Sequence, residues 1–141
     1  MTLTLSAEAR RVVTSGRLAH LVTLDPDGSP QVSLVWVGLD GDHIVSGHMG
    51  AWRKVQNIRR DPRVALSIEA EGRDEHGLDH YLVVRGRAEV VEGGAAPLLQ
   101  RLAHVYLGPE VVFPPVSDPT LGYVVRITAE RVGGVGPWVA P

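Results

Sequence analysis

Cysteine, lysine, aromatic residues and long apolar runs are all scarce in this sequence of 141 residues. Because cysteine is absent, the chain has no disulfide framework, no thiolate metal site and no cysteine nucleophile. The longest apolar runs are a few residues, far short of the roughly 18 that span a bilayer. The first residues lack the basic and apolar regions of a signal peptide, so we expect a soluble cytoplasmic protein without membrane contact.

No sign of charge dominates, since 14 basic and 16 acidic residues give a formal net charge of −2. A nucleic-acid-binding protein would carry a clearly basic face, so we expect no nucleic-acid partner. All the basic residues are arginine except Lys54. Aromatic residues are few (three Trp, three Tyr and one Phe), whereas valine occurs 22 times. The core therefore has to be aliphatic and β-branched, which favours strands.

The order of apolar stretches and turn signals predicts a mainly β domain with peripheral helices. Tight turns at 25–28 and 40–42 join the first three predicted strands, which we expect to form an antiparallel meander. The alternation of strands with long helices found in doubly wound sheets is missing. The prediction is one antiparallel barrel domain over residues 1–141. The predicted helices are Ala7–Ser15, Ala51–Arg60 and Ala95–Leu107, and the predicted strands are Arg17–Leu24, Gln31–Leu39, His43–His48, Val64–Glu69, Leu78–Glu92 and Tyr123–Arg131.

The second predicted strand has two unlike faces. Val32, Leu34 and Trp36 share one face, which is wholly apolar, while Gln31 and Ser33 lie on the other, which is half polar. We interpret the apolar face as packed on the core and the half-polar face as lining a site. Hydrogen-bonding groups on such a face suit a planar heterocycle. The alternative is simple exposure of Gln31 and Ser33 to solvent.

Two cations fall in the first turn of the predicted helix that follows Gly50. Arg53 and Lys54 lie where backbone N–H groups are unpaired and the helix dipole is positive, an end that cations usually avoid. Their presence is explained if an anion binds there, because arginine grips phosphate with two N–H groups and lysine adds a point charge. Asn57 lies one turn further on. The alternative is a solvated basic helix face.

The sequence offers little support for other kinds of site. His76 and His80 are four residues apart but lie in a loop entering a strand, and His43 and His48 sit at opposite ends of one strand and face opposite ways. Without an H-E-x-x-H pattern, we predict no metal site. A Ser-His-Asp triad remains open, although there is no G-x-S-x-G elbow. Glycine-rich dinucleotide and Walker A loops are also missing.

Two stretches resemble a known family. Residues 16–33 read GRLAHLVTLDPDGSPQVS and resemble the opening strands of the pyridoxamine-phosphate-oxidase-like split barrels. Residues 53–64 read RKVQNIRRDPRV and resemble that family's phosphate-binding helix and the strand after it. The RRDPRV run is especially like the branch that uses the deazaflavin coenzyme F420. The match in order and spacing runs from the first helix to the last strand.

The resemblance implies a six-stranded antiparallel split β-barrel that forms a homodimer. It further implies that F420, or alternatively FMN, lies in a groove at the dimer interface. The implied contacts of the phosphate are Arg53, Lys54 and Asn57. The implied contacts of the ring are Pro30, Gln31, Val32 and Ser33, with Ser46 and Gly47 nearby. Tyr81 and Trp138, contributed by the second chain, are implied to close the groove.

The implied function is an F420-dependent reductase that transfers a hydride to a small, partly apolar, unsaturated substrate. The alternatives are an FMN-binding oxidoreductase of the same fold and a non-catalytic cofactor-binding protein. The C-terminal residues lack the aromatic and basic signature with which true pyridoxamine phosphate oxidases grip their substrate, so pyridoxine metabolism is not implied. No catalytic residue is assigned, and Ser33, His48 and Tyr81 are candidate proton donors beside water.

Overall fold

The structure is a computed structural model that describes residues 3–115 and 118–139. Within those ranges the chain is mainly β, with three short helices around one antiparallel sheet. None of these helices is long and apolar enough to cross a membrane. The helices are α1 (Ala7–Val13), α2 (Arg53–Arg60) and α3 (Ala95–Tyr106). The strands are β1 (Ala19–Leu24), β2 (Pro30–Val35), β3 (Gly38–Asp40), β4 (His43–His48), β5 (Arg63–Arg73), β6 (Asp79–Glu92) and β7 (Tyr123–Val135).

The sheet has seven strands in the order β2-β1-β5-β6-β7-β4-β3, one more than the six that we predicted. The extra strand arises because the second predicted strand divides, with β2 ending at Val35 and β3 starting at Gly38. The two halves lie at opposite ends of the sheet. The predicted meander of the first three strands is therefore wrong, and the chain forms two separate hairpins, β1–β2 and β3–β4.

A two-residue link curls the sheet. Only Trp36 and Val37 connect β2 to β3, so three Cα steps, about 11 Å at full extension, separate the two ends of the sheet. The link is anchored because the Val37 N–H donates to Tyr106 Oη at 3.0 Å, and that hydroxyl donates to the Arg17 carbonyl at 2.8 Å. In the described residues, β2 pairs with β1 alone and β3 with β4 alone. The barrel is therefore split between β2 and the β3–β4 hairpin.

The inner face of the curled sheet forms an aliphatic core. Leu21, Ile44, Leu66, Leu82 and Ile127 are fully buried in it. A second, smaller cluster lies outside the barrel, where Leu98 and Leu102 of α3 pack on Val45 of β4. The core consists of the aliphatic and β-branched residues that the composition predicted.

The faces of β2 are the reverse of our interpretation. Val32 and Leu34 are 58% and 55% exposed, whereas Val35 is buried. Pairing with β1 sets this orientation, since Ser33 lies opposite Leu21, which is fully buried in the barrel. Alternation in a sequence distinguishes two faces but does not say which one is inside. The outer face of β2 is thus an apolar surface at an end of the sheet.

The last strand is longer than predicted. We predicted that this strand ends at Arg131, but β7 continues to Val135, with Gly133 and Gly134 paired to β6. Gly134 has φ +98°, and a Cβ there would lie 2.1 Å from the Tyr81 carbonyl oxygen. Glycine is required at this position because the two strand backbones approach so closely.

Gly134→Ala is expected to lower the free energy of unfolding by at least about 2 kcal/mol, since it adds both a strained φ and a clash with backbone. Gly133→Ala is the matched control, because Gly133 has an ordinary φ and no atom within 4 Å of the added carbon. Urea denaturation of the two variants measures the difference. Equal stability of Gly134→Ala and the wild type would show that β7 does not pair with β6 here.

Candidate functional site

Gly50 and Trp52 set the start of α2. Trp52 is extended, with φ −67° and ψ 175°, and precedes the first helical residue. A Cβ on Gly50 would lie 2.7 Å from Trp52 Nε1, so the indole lies directly against the glycine backbone. Arg53 and Lys54 then form the first turn, as predicted. The helix begins two residues later than predicted, at Arg53 rather than Ala51.

The two cations of that turn point to different places. Arg53 is 69% exposed, and its guanidinium lies 3.6 Å from the Asp25 carboxylate, at the rim of a cavity of about 410 Å³. Lys54 is half-buried and lines a separate cavity of about 300 Å³, with its Nζ 5.3 Å from the centre of the Trp52 ring. Adjacent helical residues are rotated by about 100°, which explains the divergence. The structure does not bring the two into one described cavity.

Asn57 lies inside the protein. It is 1% exposed, and its Nδ2 donates to Thr23 Oγ1 at 3.0 Å and to Asp25 Oδ1 at 2.9 Å. Its Oδ1 accepts from Arg60 at 3.0 Å. These bonds tie α2 to β1 and to the turn that follows it. Because every polar group of the side chain has a protein partner, the geometry favours a positioning role over the direct phosphate contact that we predicted.

Thr23 links the helix to β2 and was missed by sequence reasoning. It is fully buried and donates from Oγ1 to Gln31 Oε1 at 3.1 Å while accepting from Asn57. Gln31, predicted as a ring contact, therefore faces the barrel interior. Its neighbour Ser33 has a hydroxyl that is shielded from solvent and has no hydrogen-bond partner in the described part of the chain. An unpaired buried hydroxyl is costly, so this one is available to a ligand that reaches it.

The two remaining β2 predictions lie on the surface. Pro30 is exposed at the first position of the strand, and Val32 projects from the outer face beside Leu34. Leu34 in turn lines the cavity that contains Lys54. Val32 therefore extends the apolar wall of that cavity along the strand.

Most of the wall of the Lys54 cavity is apolar and aromatic. Its polar lining is Lys54, His48 and the backbone of Gly47, at the end of β4. Gly47 also faces α3, since a Cβ there would lie 3.0 Å from Leu99 Cγ. The remaining lining residues are Leu34, Val35, Trp36, Met49, Trp52, Leu99 and Phe113.

One positive charge stands in this cavity. Burial, and the nearby charge of Lys54, lower the pKa of His48 to about 4, so its imidazole is neutral at physiological pH. A hydrogen bond of 2.8 Å joins His48 Nε2 to Ser46 Oγ, and both residues are buried. Burial also lowers the pKa of Lys54. Lys54 is therefore a cation in aromatic surroundings, where an anionic group on a flat ligand is favoured.

Tyr81 and Trp138 lie together but away from Lys54. Trp138 Nε1 donates to the Tyr81 carbonyl at 3.2 Å. Trp138 lines a cavity of about 490 Å³ and Tyr81 an adjoining one of about 470 Å³, and neither cavity contains Lys54. Within residues 3–115 and 118–139, no three side chains of His, Cys, Asp or Glu are grouped to hold a metal ion.

A larger cavity of about 740 Å³ lies between α3 and the outer face of β6 and β7. Its two arginines are already paired with other groups of the protein. Arg126 there lies 2.6 Å from the Asp40 carboxylate, and Arg101 donates to the Leu39 carbonyl at 3.3 Å. No residue predicted from the sequence lines it. We therefore take the smaller cavity with Lys54 as the candidate site.

The aromatic walls of the candidate site were also missed by sequence reasoning. Trp36 was assigned to the core, and neither Trp52 nor Phe113 was considered for a site. The signal that could have identified them is the small number of aromatic residues in the sequence. Two of the three tryptophans and the single phenylalanine of the chain line this one small cavity.

Comparison with known proteins gives one family and several similar structures. The sequence model of the family described as pyridoxamine 5′-phosphate oxidase matches residues 5–136. No curated protein matches the chain. Among solved structures, an F420 reductase is 27% identical with a TM-score of 0.70, and the match covers 88% of this chain and 94% of that one.

Two mycobacterial structures are also similar. The conserved hypothetical protein Rv2991 from Mycobacterium tuberculosis is 28% identical, with a TM-score of 0.72 and coverage of 94% of this chain and 85% of that one. A heme binding protein from Mycobacterium smegmatis is 26% identical with a TM-score of 0.66. The match covers 92% of this chain but about half, 52%, of that one.

The low pKa of His48 predicts a loss of stability in acid. The pKa is about 4 in the folded chain and about 6.5 in an unfolded one. Between these values the unfolded chain binds a proton that the folded chain does not, so the free energy of unfolding falls as the pH drops through this window. From pH 7 to pH 4.5, wild type is expected to lose about 2 to 3 kcal/mol more than His48→Gln.

Urea denaturation at the two pH values measures this difference. His76→Gln replaces an imidazole that is 74% accessible to solvent, so it is the matched control and should follow the wild type. An identical pH response of His48→Gln and the wild type would contradict a buried neutral His48.

Proposed function

The chain belongs to the pyridoxamine 5′-phosphate oxidase family, and from this we propose that the protein is an oxidoreductase that binds the deazaflavin F420. The observation that carries the proposal is the half-buried ammonium of Lys54 in an aromatic cavity beside the exposed apolar face of β2. A cation in apolar walls, with few other polar groups, favours a flat ring that carries an anion.

The chemistry of the residues present fits a ring joined to a ribityl phosphate. Lys54 supplies the charge for the phosphate. Val32 and Leu34, on the outer face of β2, supply an apolar platform for the ring. Ser33 lies on the inner face of the strand, so its unpartnered hydroxyl is not a contact of a ring on that platform. Exposed Arg53 adds positive charge nearby. Lys54, Arg53, Val32 and Leu34 are the proposed direct contacts, together with Pro30 and the backbone of Gly47.

Several predicted site residues act through their neighbours in this proposal. Gln31 and Asn57, joined by Thr23, fix β2 against α2 and so set the platform relative to the first helical turn. Ser46 holds His48 by their shared hydrogen bond. This rigid support keeps Lys54 and the outer face of β2 at a constant separation, which lowers the entropic cost of binding.

When bound in its reduced form, the deazaflavin supplies a hydride to an electron-poor double bond of the substrate. The chain's own contribution is to orient the two molecules, to exclude water with its aromatic walls and to bind the phosphate through Lys54. Because His48 is neutral near pH 7, it is disfavoured as the proton donor, and Ser33, Tyr81 and water stay as candidate sources. The similarity to an F420 reductase favours F420 over FMN. A non-catalytic F420 carrier would use the same contacts.

A homodimer completes the site in this proposal. Tyr81 and Trp138 do not reach the Lys54 cavity within one chain, so a second copy has to supply them if they contact the cofactor. The exposed apolar face of β2, at an end of the sheet, gives that copy a surface to cover. Each copy is proposed to be a single domain over residues 1–141.

Lys54→Ala is expected to weaken F420 binding about 10- to 150-fold, which corresponds to the roughly 1.5–3 kcal/mol of a hydrogen bond to a charged group. Arg59→Ala is the matched control, because it removes the same charge from the same helix. Arg59 instead stacks over Tyr123, 4.9 Å from the ring centre, and lies 3.3 Å from Glu92. Equilibrium titration by cofactor fluorescence measures both. Equal losses in the two variants would mean that Lys54 acts only through net charge.

Mixed dimers test whether the two chains share a site. A heterodimer of Lys54→Ala and Trp138→Ala chains, purified through two different tags, has one intact site if each site takes Lys54 from one chain and Trp138 from the other. We expect it to bind one F420 per dimer with wild-type affinity, whereas both mutant homodimers bind weakly. A differently tagged wild-type pair is the control. A heterodimer without any wild-type site would show that both residues serve the same chain's site.

A further inference from the structure

The segment after α3 is held in place by one side chain. Gln100 Nε2 donates to the Val111 carbonyl at 2.7 Å, and its Oε1 accepts from the Phe113 N–H at 3.1 Å. A single amide thus pairs with two backbone groups of the segment 108–115. Surface segments are usually mobile. The two hydrogen bonds of Gln100 instead fix the backbone at Phe113, which indicates that the position of the Phe113 ring matters.

Phe113 completes an aromatic stack. Its ring meets Trp36 edge-on, with 5.4 Å between centres and an interplanar angle of 61°. Trp36 in turn stacks on Tyr106 at 5.4 Å and 13°. The Tyr106 hydroxyl is bonded to Val37 and Arg17. Two side chains of α3 therefore anchor the stack, Tyr106 at one end and Gln100 at the other.

This stack forms one end of the Lys54 cavity. Trp36 and Phe113 line the cavity together with Leu99 and Met49, and none of these four side chains carries a charge. The one charged group of the cavity is Lys54, which the proposed function assigns to the phosphate. A second molecule that enters beside the cofactor therefore meets aromatic faces and no counter-ion. Aromatic faces favour flat, conjugated molecules, and the absence of a counter-ion disfavours a charged one.

We infer that Trp36 and Phe113 form the substrate wall of the site, that the substrate is a planar, uncharged, conjugated molecule, and that Gln100 is the positioning residue that sets this wall. The inference rests on the proposed function for the assignment of Lys54 to the cofactor.

The neutral, planar naphthalene dye prodan is the probe, since its emission shifts to the blue on entering an apolar site. We expect it to bind the wild type without cofactor. Phe113→Ala and Gln100→Leu are expected to raise its Kd at least fivefold. Val112→Ala is the matched control on the same segment, because that side chain is 79% exposed. Phe113→Tyr keeps a ring at this position and should retain the wild-type Kd.

The Kd of F420, measured in parallel, is expected to be the same in the wild type and in all four variants. Weaker prodan binding with unchanged F420 binding distinguishes a substrate wall from general damage to the fold. If Gln100→Leu fails to fold, the pair Phe113→Ala and Phe113→Tyr decides the question. Failure of the wild type to bind prodan, or equal Kd values for Phe113→Ala and Val112→Ala, would overturn the inference.

The outcome for F420 separates this inference from the proposed function. If the wild type does not bind F420 but the prodan series behaves as expected, the proposed function fails and the aromatic wall stands as a site for planar neutral molecules. If F420 binds and the prodan series does not behave as expected, the wall is wrong and the cofactor proposal stands.

Discussion

The two-residue link between β2 and β3 is the constraint on which the rest of the structure depends. It joins strands at opposite ends of a seven-stranded sheet, so the sheet has to curl until those ends meet. The Tyr106 hydroxyl holds the link through Val37 and Arg17. The same link places Trp36 at the split in the barrel, where the outer face of β2, set by pairing with β1, faces solvent. The candidate cavity lies there, lined by the strands and helices that meet at the split.

The electrostatics of the cavity follow from what surrounds its one cation. A half-buried ammonium in aromatic walls is poorly solvated, and the lowered pKa of Lys54 reflects that cost. The neighbouring His48 remains neutral for the same reason. A bound anion would offset the unfavourable free energy of the poorly solvated Lys54 ammonium. Thus the lysine that is singular in the composition is also the one positive group of the cavity that the proposed phosphate would meet.

Local features were predictable from the sequence, and long-range ones were not. The hairpin turns and the cations in the first turn of α2 were predicted correctly because each depends on a few adjacent residues. The division of the second predicted strand was missed, since Trp36 and Val37 continue its alternation and only tertiary packing bends the chain there. We assigned the inner and outer faces of β2 the wrong way round, because the periodicity of a strand does not identify its inner side. Asn57 was recognised as a site residue, but its bonds to Thr23 and Asp25 depend on β1 and the turn after it, 32 residues or more away.

The central claim is that this split barrel presents an F420 site in which Lys54 meets the phosphate. Its most direct test is titration of the purified full chain with F420 and, separately, with FMN, each followed by cofactor fluorescence. We expect saturable binding of one F420 per chain, tighter than the binding of FMN. Tight binding of FMN together with no binding of F420 would contradict it.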